Sequence, residues 1–177
     1  TYSAGIIYDN ASRWTREQFG TDMHIYNKRH YNIRGQLYDM RASTINDDSN
    51  WNRGAIINYY NFQNFGFGTS GTDNNGDLLI QQHWIPTVDE NDQINGYSVH
   101  QQNYAYDSLN RISWVGEYLN AATNTGSQSF SYDRYGNRTA SASGVGTSNQ
   151  QFTVDSNTNR LGVPSGQSGT MAYDNAG

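Results

Sequence analysis

Three sets of side chains in this sequence could do chemistry: sixteen carboxylates, four histidines and four tryptophans. His24, His30, His83 and His100 make no His-Glu-x-x-His or His-x-His pair, and the chain has no cysteine to complete a zinc set. They alternate with Tyr and Trp, which fits strand positions, so no metal site is assigned. Asp73-Asn-Asn-Gly76-Asp77 and Asp89-Glu-Asn91-Asp92 are rich in hard oxygen donors. Neither supplies both the glycine at the sixth position and the glutamate at the twelfth that an EF-hand loop requires. Turn chemistry explains both stretches, with a structural calcium as the alternative.

Glycoside hydrolysis needs two carboxylates facing each other across a cleft. Glutamate occurs only as Glu17, Glu90 and Glu117, and most aspartates recur at one repeated position, as scaffolding does. No Gly-x-Ser-x-Gly elbow is present. The sequence therefore nominates no catalytic residue and no cofactor, and the expectation is a protein that is not an enzyme. Trp14, Trp51, Trp84 and Trp114 are the candidate ligand-binding aromatics. A ring beside a polar rim of Asn and Tyr can stack on a sugar while amides bond its hydroxyls. The competing assignment is a cross-strand ladder of rings that holds a sheet together.

The elements that must position these groups follow from a motif that occurs seven times. An aromatic-x-aromatic-Asp run enters a short turn ending in Gly or Asn, often followed by Arg and an apolar residue. Its clearest copies are Tyr104-Ala-Tyr106-Asp107-Ser-Leu-Asn110-Arg111-Ile112 and Phe130-Ser-Tyr132-Asp133-Arg-Tyr-Gly136-Asn137-Arg138. Others are Ile7-Tyr8-Asp9…Arg13-Trp14, Phe152-Thr-Val154-Asp155…Arg160-Leu161, Tyr31-Asn32-Ile-Arg-Gly35, Asp73-Asn-Asn-Gly76 and Met171-Ala-Tyr173-Asp174. Alternation of period two in each copy predicts a strand. The Asp then bonds back to backbone two residues on, and Gly or Asn takes the left-handed conformation of the turn. Arg111, Arg138 and Arg160 open the next strand, where a guanidinium can stack on a ring or pair with a motif Asp.

The predicted domain is one array over residues 1–177, with copies at 7–14, 31–37, 73–79, 104–112, 130–139, 152–161 and 171–177. A further copy at Trp51-Asn-Arg-Gly54 is inferred from the spacing alone. Ile94-Asn95-Gly96-Tyr97 carries a hairpin-turn signature. Asn64–Asn75 and Ala140–Asn149 read as loops, Thr15–Phe19 as strand rather than helix, and Pro86 and Pro164 as strand ends.

Composition agrees with an all-β chain. Only 34% of residues are hydrophobic and 15% charged, while 14% are aromatic. Few charges with many rings is the opposite of a disordered composition, and suits a sheet held by stacking and polar ladders. A net charge of −5 with no basic run excludes nucleic acid as a partner. No stretch is long and apolar enough for a membrane helix. The chain starts at Thr1 without a signal peptide and stops inside an unfinished copy, as a piece of a longer protein would.

These residues resemble the YD-repeat, or RHS-repeat, family of bacterial polymorphic toxins, toxin-complex shells and teneurins. Residues 104–112 and 130–139 match the family pattern Tyr-x-Tyr-Asp-x-x-Gly-Asn/Arg-apolar almost symbol for symbol, and 51–102 follows it weakly. The resemblance implies consecutive antiparallel β-hairpins in one strongly curved sheet, a segment of a shell or stalk on a secreted or cell-surface bacterial protein. It implies neighbouring repeats as partners, and in toxin members an enclosed C-terminal toxin. The Asp-Pro signature of the family's self-processing core is absent from this chain. Glycans are the partner of the alternative reading, a carbohydrate- or surface-binding module. Two open sheet edges also predict edge-to-edge self-association.

Overall fold

The computed structural model describes residues 3–60, 75–120, 122–144, 152–155, 157–164 and 166–174. Among them there are twelve strands and no helix. The first seven are β1 (Ser3–Tyr8), β2 (Trp14–Phe19), β3 (Ile25–Tyr31), β4 (Leu37–Ser43), β5 (Ala55–Tyr59), β6 (Ile80–Val88) and β7 (Ile94–Tyr106). They are followed by β8 (Ile112–Leu119), β9 (Thr123–Tyr132), β10 (Arg138–Gly144), β11 (Thr153–Val154) and β12 (Leu161–Gly162). Strands β1 to β10 lie in one sheet in chain order, and β11 pairs with β12. This is the expected all-β array of consecutive antiparallel hairpins.

The strong curvature expected of it is not found, and the strand order is linear rather than closed. Bulges distributed along strands are what bend a sheet. Between β1 and β7 the register shifts occur only within the short β1, at His30/Tyr31 and at Thr87/Val88, the last two beside turns.

The chain divides into two units, Thr1–Tyr104 with Glu117–Asn124, and Ala105–Gly116 with Thr125–Gly177. In the first, register places Lys28 opposite Arg41, His30 opposite Asp39, Asp39 opposite Ile57, and Ala55 opposite Trp84, all on one face. The connection 44–54 folds back over that face, where the Lys28 ammonium donates to the backbone carbonyls of Asp47 and Asn50. The buried set is therefore mixed: Ala55, Ile57 and Ile80 beside Lys28, Asn32, Asp39 and Ser43. A chain so poor in aliphatic residues fills its interior with paired polar groups instead.

In the second unit, β9 and β10 pair without a shift from Arg138↔Tyr132 to Gly144↔Gly126. Hydroxyls face across them, Ser127 to Ser143 at 3.0 Å and Ser131 to Thr139 at 2.5 Å. Such cross-strand hydroxyl pairs stabilise a sheet with little apolar burial.

Several local expectations need correction. Asn95 and Gly96 lie inside β7, and the hairpin turns at 89–93 instead. The Asp89 turn satisfies its own backbone, so the Asn-Gly pair is free to be ordinary strand, Gly96 lying opposite Thr87. Pro86 stands within β6, paired with Tyr97, rather than at its end. β5 begins at Ala55, opposite Trp84, so on that side no strand requires the missing N–H of Pro86. Ala140–Gly144 belongs to β10 rather than to a loop. Residues 145–149 and most of Asn64–Asn75 lie outside the described residues, as does Asp73. Thr15–Phe19 is strand, within β2.

Candidate functional site

The motif aspartates build one turn repeatedly. Asp107 Oδ1 accepts the backbone N–H of Leu109 at 2.9 Å and of Arg111 at 3.0 Å, while Asp107 N donates to Arg111 O at 2.8 Å. Asn110, at the third position after the Asp, has φ 56°. Asp9 repeats this with Ala11, Arg13 and Ser12 (φ 60°), and Asn32 with Arg34, Gln36 and Gly35 (φ 80°). Asp133 does so with Tyr135, Asn137 and Gly136 (φ 87°). Asp155 opens a turn one residue longer, bonding Asn157 and Thr158 before Asn159 (φ 57°).

Asp89 makes the same turn, through Asn91 and Gln93 with Asp92 at φ 57°, at a place sequence reasoning did not count as a copy. Its signal was an Asp followed at the fourth position by a polar residue and then Ile94; the aromatics before it were missing. Around Gly76 (φ 107°) the described residues show a smaller turn, Asp77 N to Asn75 Oδ1 at 3.1 Å. Trp51-Asn-Arg-Gly54 turns differently again, by Gly54 N to Trp51 O, at the end of a longer connection.

The second carboxylate oxygen links one repeat to the next. Arg111 Nε donates to Asp107 Oδ2 at 2.7 Å, and its guanidinium lies 4.2 Å from the Tyr132 ring centroid. The Tyr132 hydroxyl in turn donates to Ile112 O at 2.8 Å. The first unit holds the same relay: Arg13 Nε to Asp9 Oδ2 at 2.7 Å, Arg13 over Tyr31 at 4.7 Å, Tyr31 hydroxyl to Trp14 O at 3.2 Å. A third copy has Arg160 over Tyr173 at 5.2 Å, the Tyr173 hydroxyl on Leu161 O at 2.6 Å, and Arg160 donating to Asp174 O. Arg138 lies over Phe130 of its own hairpin, 5.0 Å away. Tyr8 and Tyr106 end the strands that lead into Asp9 and Asp107.

These bonds hold the carboxyls of the motif below the ordinary aspartate value of 3.8. For Asp9 and Asp133 the chief cause is a side-chain donor, Arg13 and Asn137; for Asp107 and Asp155 it is a backbone N–H, of Arg111 and Asn157. Carboxylates so committed are poor proton donors or acceptors for a substrate.

The tryptophans are engaged with the protein itself. Trp51 and Trp84 stack at 5.1 Å and 22°, with Tyr97 packed against both at 5.8 and 6.0 Å. Arg41 lies over Trp51 and grips Asp39 with Nε and Nη2, the latter at 2.6 Å, under the 44–54 connection. Trp14 carries the Arg29 guanidinium on its face at 3.6 Å. A side chain at Gly116 would collide with the Trp114 ring, so that glycine is the space the indole fills. The structure brings Trp51 and Trp84 together but leaves Trp14 and Trp114 in separate settings.

The buried ionic group of Lys28, Asp39 and Arg41 was not singled out by sequence reasoning. Polar, ionisable residues at alternate positions of two neighbouring strands, 28 with 30 and 39 with 41, were its only trace. His30 Nδ1 is buried beside it without a hydrogen-bond partner, 3.7 Å from Asp39 Oδ2. Among the described residues no three His, Asp or Glu side chains gather as metal ligands. No protein-family model and no curated protein matches this chain.

Proposed function

We propose that this chain is a non-catalytic structural segment of an RHS/YD-type repeat protein, a stretch of β-sheet wall in a shell or stalk on a secreted or surface-displayed bacterial protein. The observation that carries this reading is the Asp–Arg–Tyr–carbonyl relay, made in full at Asp9 and Asp107 and continued at Arg160. Each full relay spends one carboxylate oxygen, a guanidinium and a phenol on joining one hairpin to the next. Such uniform nearest-neighbour joints are what an array needs to propagate. Neighbouring repeats of the parent protein are its partners, and an enclosed C-terminal toxin is the cargo such a wall would hold.

Cryo-microscopy of the parent polypeptide tests the reading. The expected result is that these strands continue into further hairpins with the same relay at each joint, around or beside a separate domain. Strands that stop at this segment's own edges would overturn it. Tryptophan-dependent signals on a glycan array, lost in Trp84→Ala with the fold intact, would replace it with the binding-module reading.

A further inference from the structure

The first unit holds an open cleft of about 360 Å³ over β3 to β6, which reaches Arg53 at the end of the 44–54 connection. Arg29, Arg53 and His83 line it with Met40, Ile56 and Ile85, and among the described residues no aspartate or glutamate does. An acid-free wall is unexpected in a chain with sixteen acidic and eleven basic residues. Other arginines of this unit are engaged: Arg13 and Arg41 are held by Asp9 and Asp39, and Arg16 donates to Asn46 Oδ1. Neither Arg29 nor Arg53 has a side-chain hydrogen bond or ion pair among the described residues; Arg29 has only the indole of Trp14 against one side. A guanidinium laid on a ring keeps its plane fixed and its N–H edge directed outward, the arrangement that receives a carboxylate or phosphate in two-pronged fashion. Beside these donors the wall is apolar, and Ile85 is 50% exposed.

We propose that this cleft binds a small anionic amphiphile. Its carboxylate or phosphate head bonds Arg29 and Arg53, and its apolar body lies over Met40, Ile56 and Ile85. At about 30 Å³ per water-sized group the cleft admits about a dozen heavy atoms, the size of octanoate or octyl phosphate. The site does not depend on the scaffold reading, since none of the relay's Asp, Arg or Tyr side chains lines it.

Isothermal titration of the whole chain with octanoate and octyl phosphate, against 1-octanol and inorganic phosphate, decides it. Expected is saturable binding of one or both amphiphiles, each at least about tenfold tighter than 1-octanol or inorganic phosphate. Arg29→Gln and Arg53→Gln should each weaken it about tenfold, the loss of a charge-assisted bond, while Arg134→Gln leaves it unchanged. A preference for octyl phosphate over octanoate, or the reverse, identifies the head. No binding tighter than about 1 mM, equal binding of 1-octanol or of bare phosphate, or unaltered binding in both arginine variants overturns the proposal. Neither arginine holds another side chain by a hydrogen bond, so both variants should fold, and circular dichroism checks that they do.

Discussion

The guanidinium of Arg111 is clamped between Asp107 of its own turn, 2.7 Å away, and the ring of Tyr132 in a later strand, 4.2 Å away. One side chain thus belongs to two structural scales. Its carboxylate partner fixes the local turn, and its aromatic partner fixes how the next hairpin lies against it. The tyrosine closes the loop by donating to Ile112 O, the carbonyl directly after the arginine. Tyr132→Phe keeps the ring under the guanidinium and removes only this hydrogen bond. It should cost about 1 kcal/mol. Arg111→Lys loses the planar fork as well as the stacking, so denaturant titration should rank it less stable than Tyr132→Phe; the reverse order would mean the stacking contributes nothing.

The left-handed residue of each turn offers a second test, because its cost is set by its own backbone. Ser12 and Asp92 sit at φ 60° and 57°, where Gly35 and Gly136 stand in the equivalent turns. A side chain in that region costs roughly 1–2 kcal/mol, less for Asn or Asp, which bond locally. Ser12→Gly should raise the unfolding midpoint by more than Asp92→Gly does. Gly35→Val should lower it. If Ser12→Gly destabilised the chain, the backbone entropy of glycine would outweigh the strain.

These turns were legible in the sequence because they are local. An Asp bonded to the second and fourth amides after it needs no distant partner, so the string of residues states it completely. The Asp89 turn escaped because recognition relied on the aromatics before the Asp, which serve the relay rather than the turn. The Lys28–Asp39–Arg41 group and the pairing of Trp51 with Trp84 depend on register between strands far apart in the chain. So does the cleft, which collects Arg29 from β3 and Arg53 from the 44–54 connection. Register across an unknown number of loop residues is what a single sequence does not state.

Acid should act through the motif carboxyls. Asp9, Asp107, Asp133 and Asp155 are all depressed in the folded chain relative to the ordinary value of 3.8. Their contribution to stability is therefore complete above that value and is lost as pH falls through the lower folded values. Urea midpoints should be insensitive to these groups between about pH 7 and 5 and should drop below about pH 4. Asp107→Asn keeps an amide oxygen for Leu109 and Arg111, as Asn32 does in its own turn, but carries no proton equilibrium. It should be less stable than the parent at pH 7 and show a shallower acid loss. A loss as steep as the parent's would place the acid sensitivity elsewhere.

The buried pair beneath the 44–54 connection is the place where one atom matters most. Asp39 is 1% exposed and its carboxylate pairs with Arg41, whose Nη1 also donates to the carbonyls of Asp48 and Ser49. The Lys28 ammonium, held below its ordinary value chiefly by burial, sits under the same connection on Asp47 and Asn50. Asp39→Asn leaves two cations near each other without the charge that balances them. Breaking a buried pair on one side costs about 3–5 kcal/mol. Because Arg41 and Lys28 carry the connection, the loss should show first as faster hydrogen exchange at the amides of Ala42 and Arg53, which bond across its base. Replacing both partners, Asp39→Leu with Arg41→Met, should recover part of the stability while the exchange stays fast. Recovery of slow exchange in that double variant would mean the connection is held by packing of Trp51 on Trp84 rather than by charge.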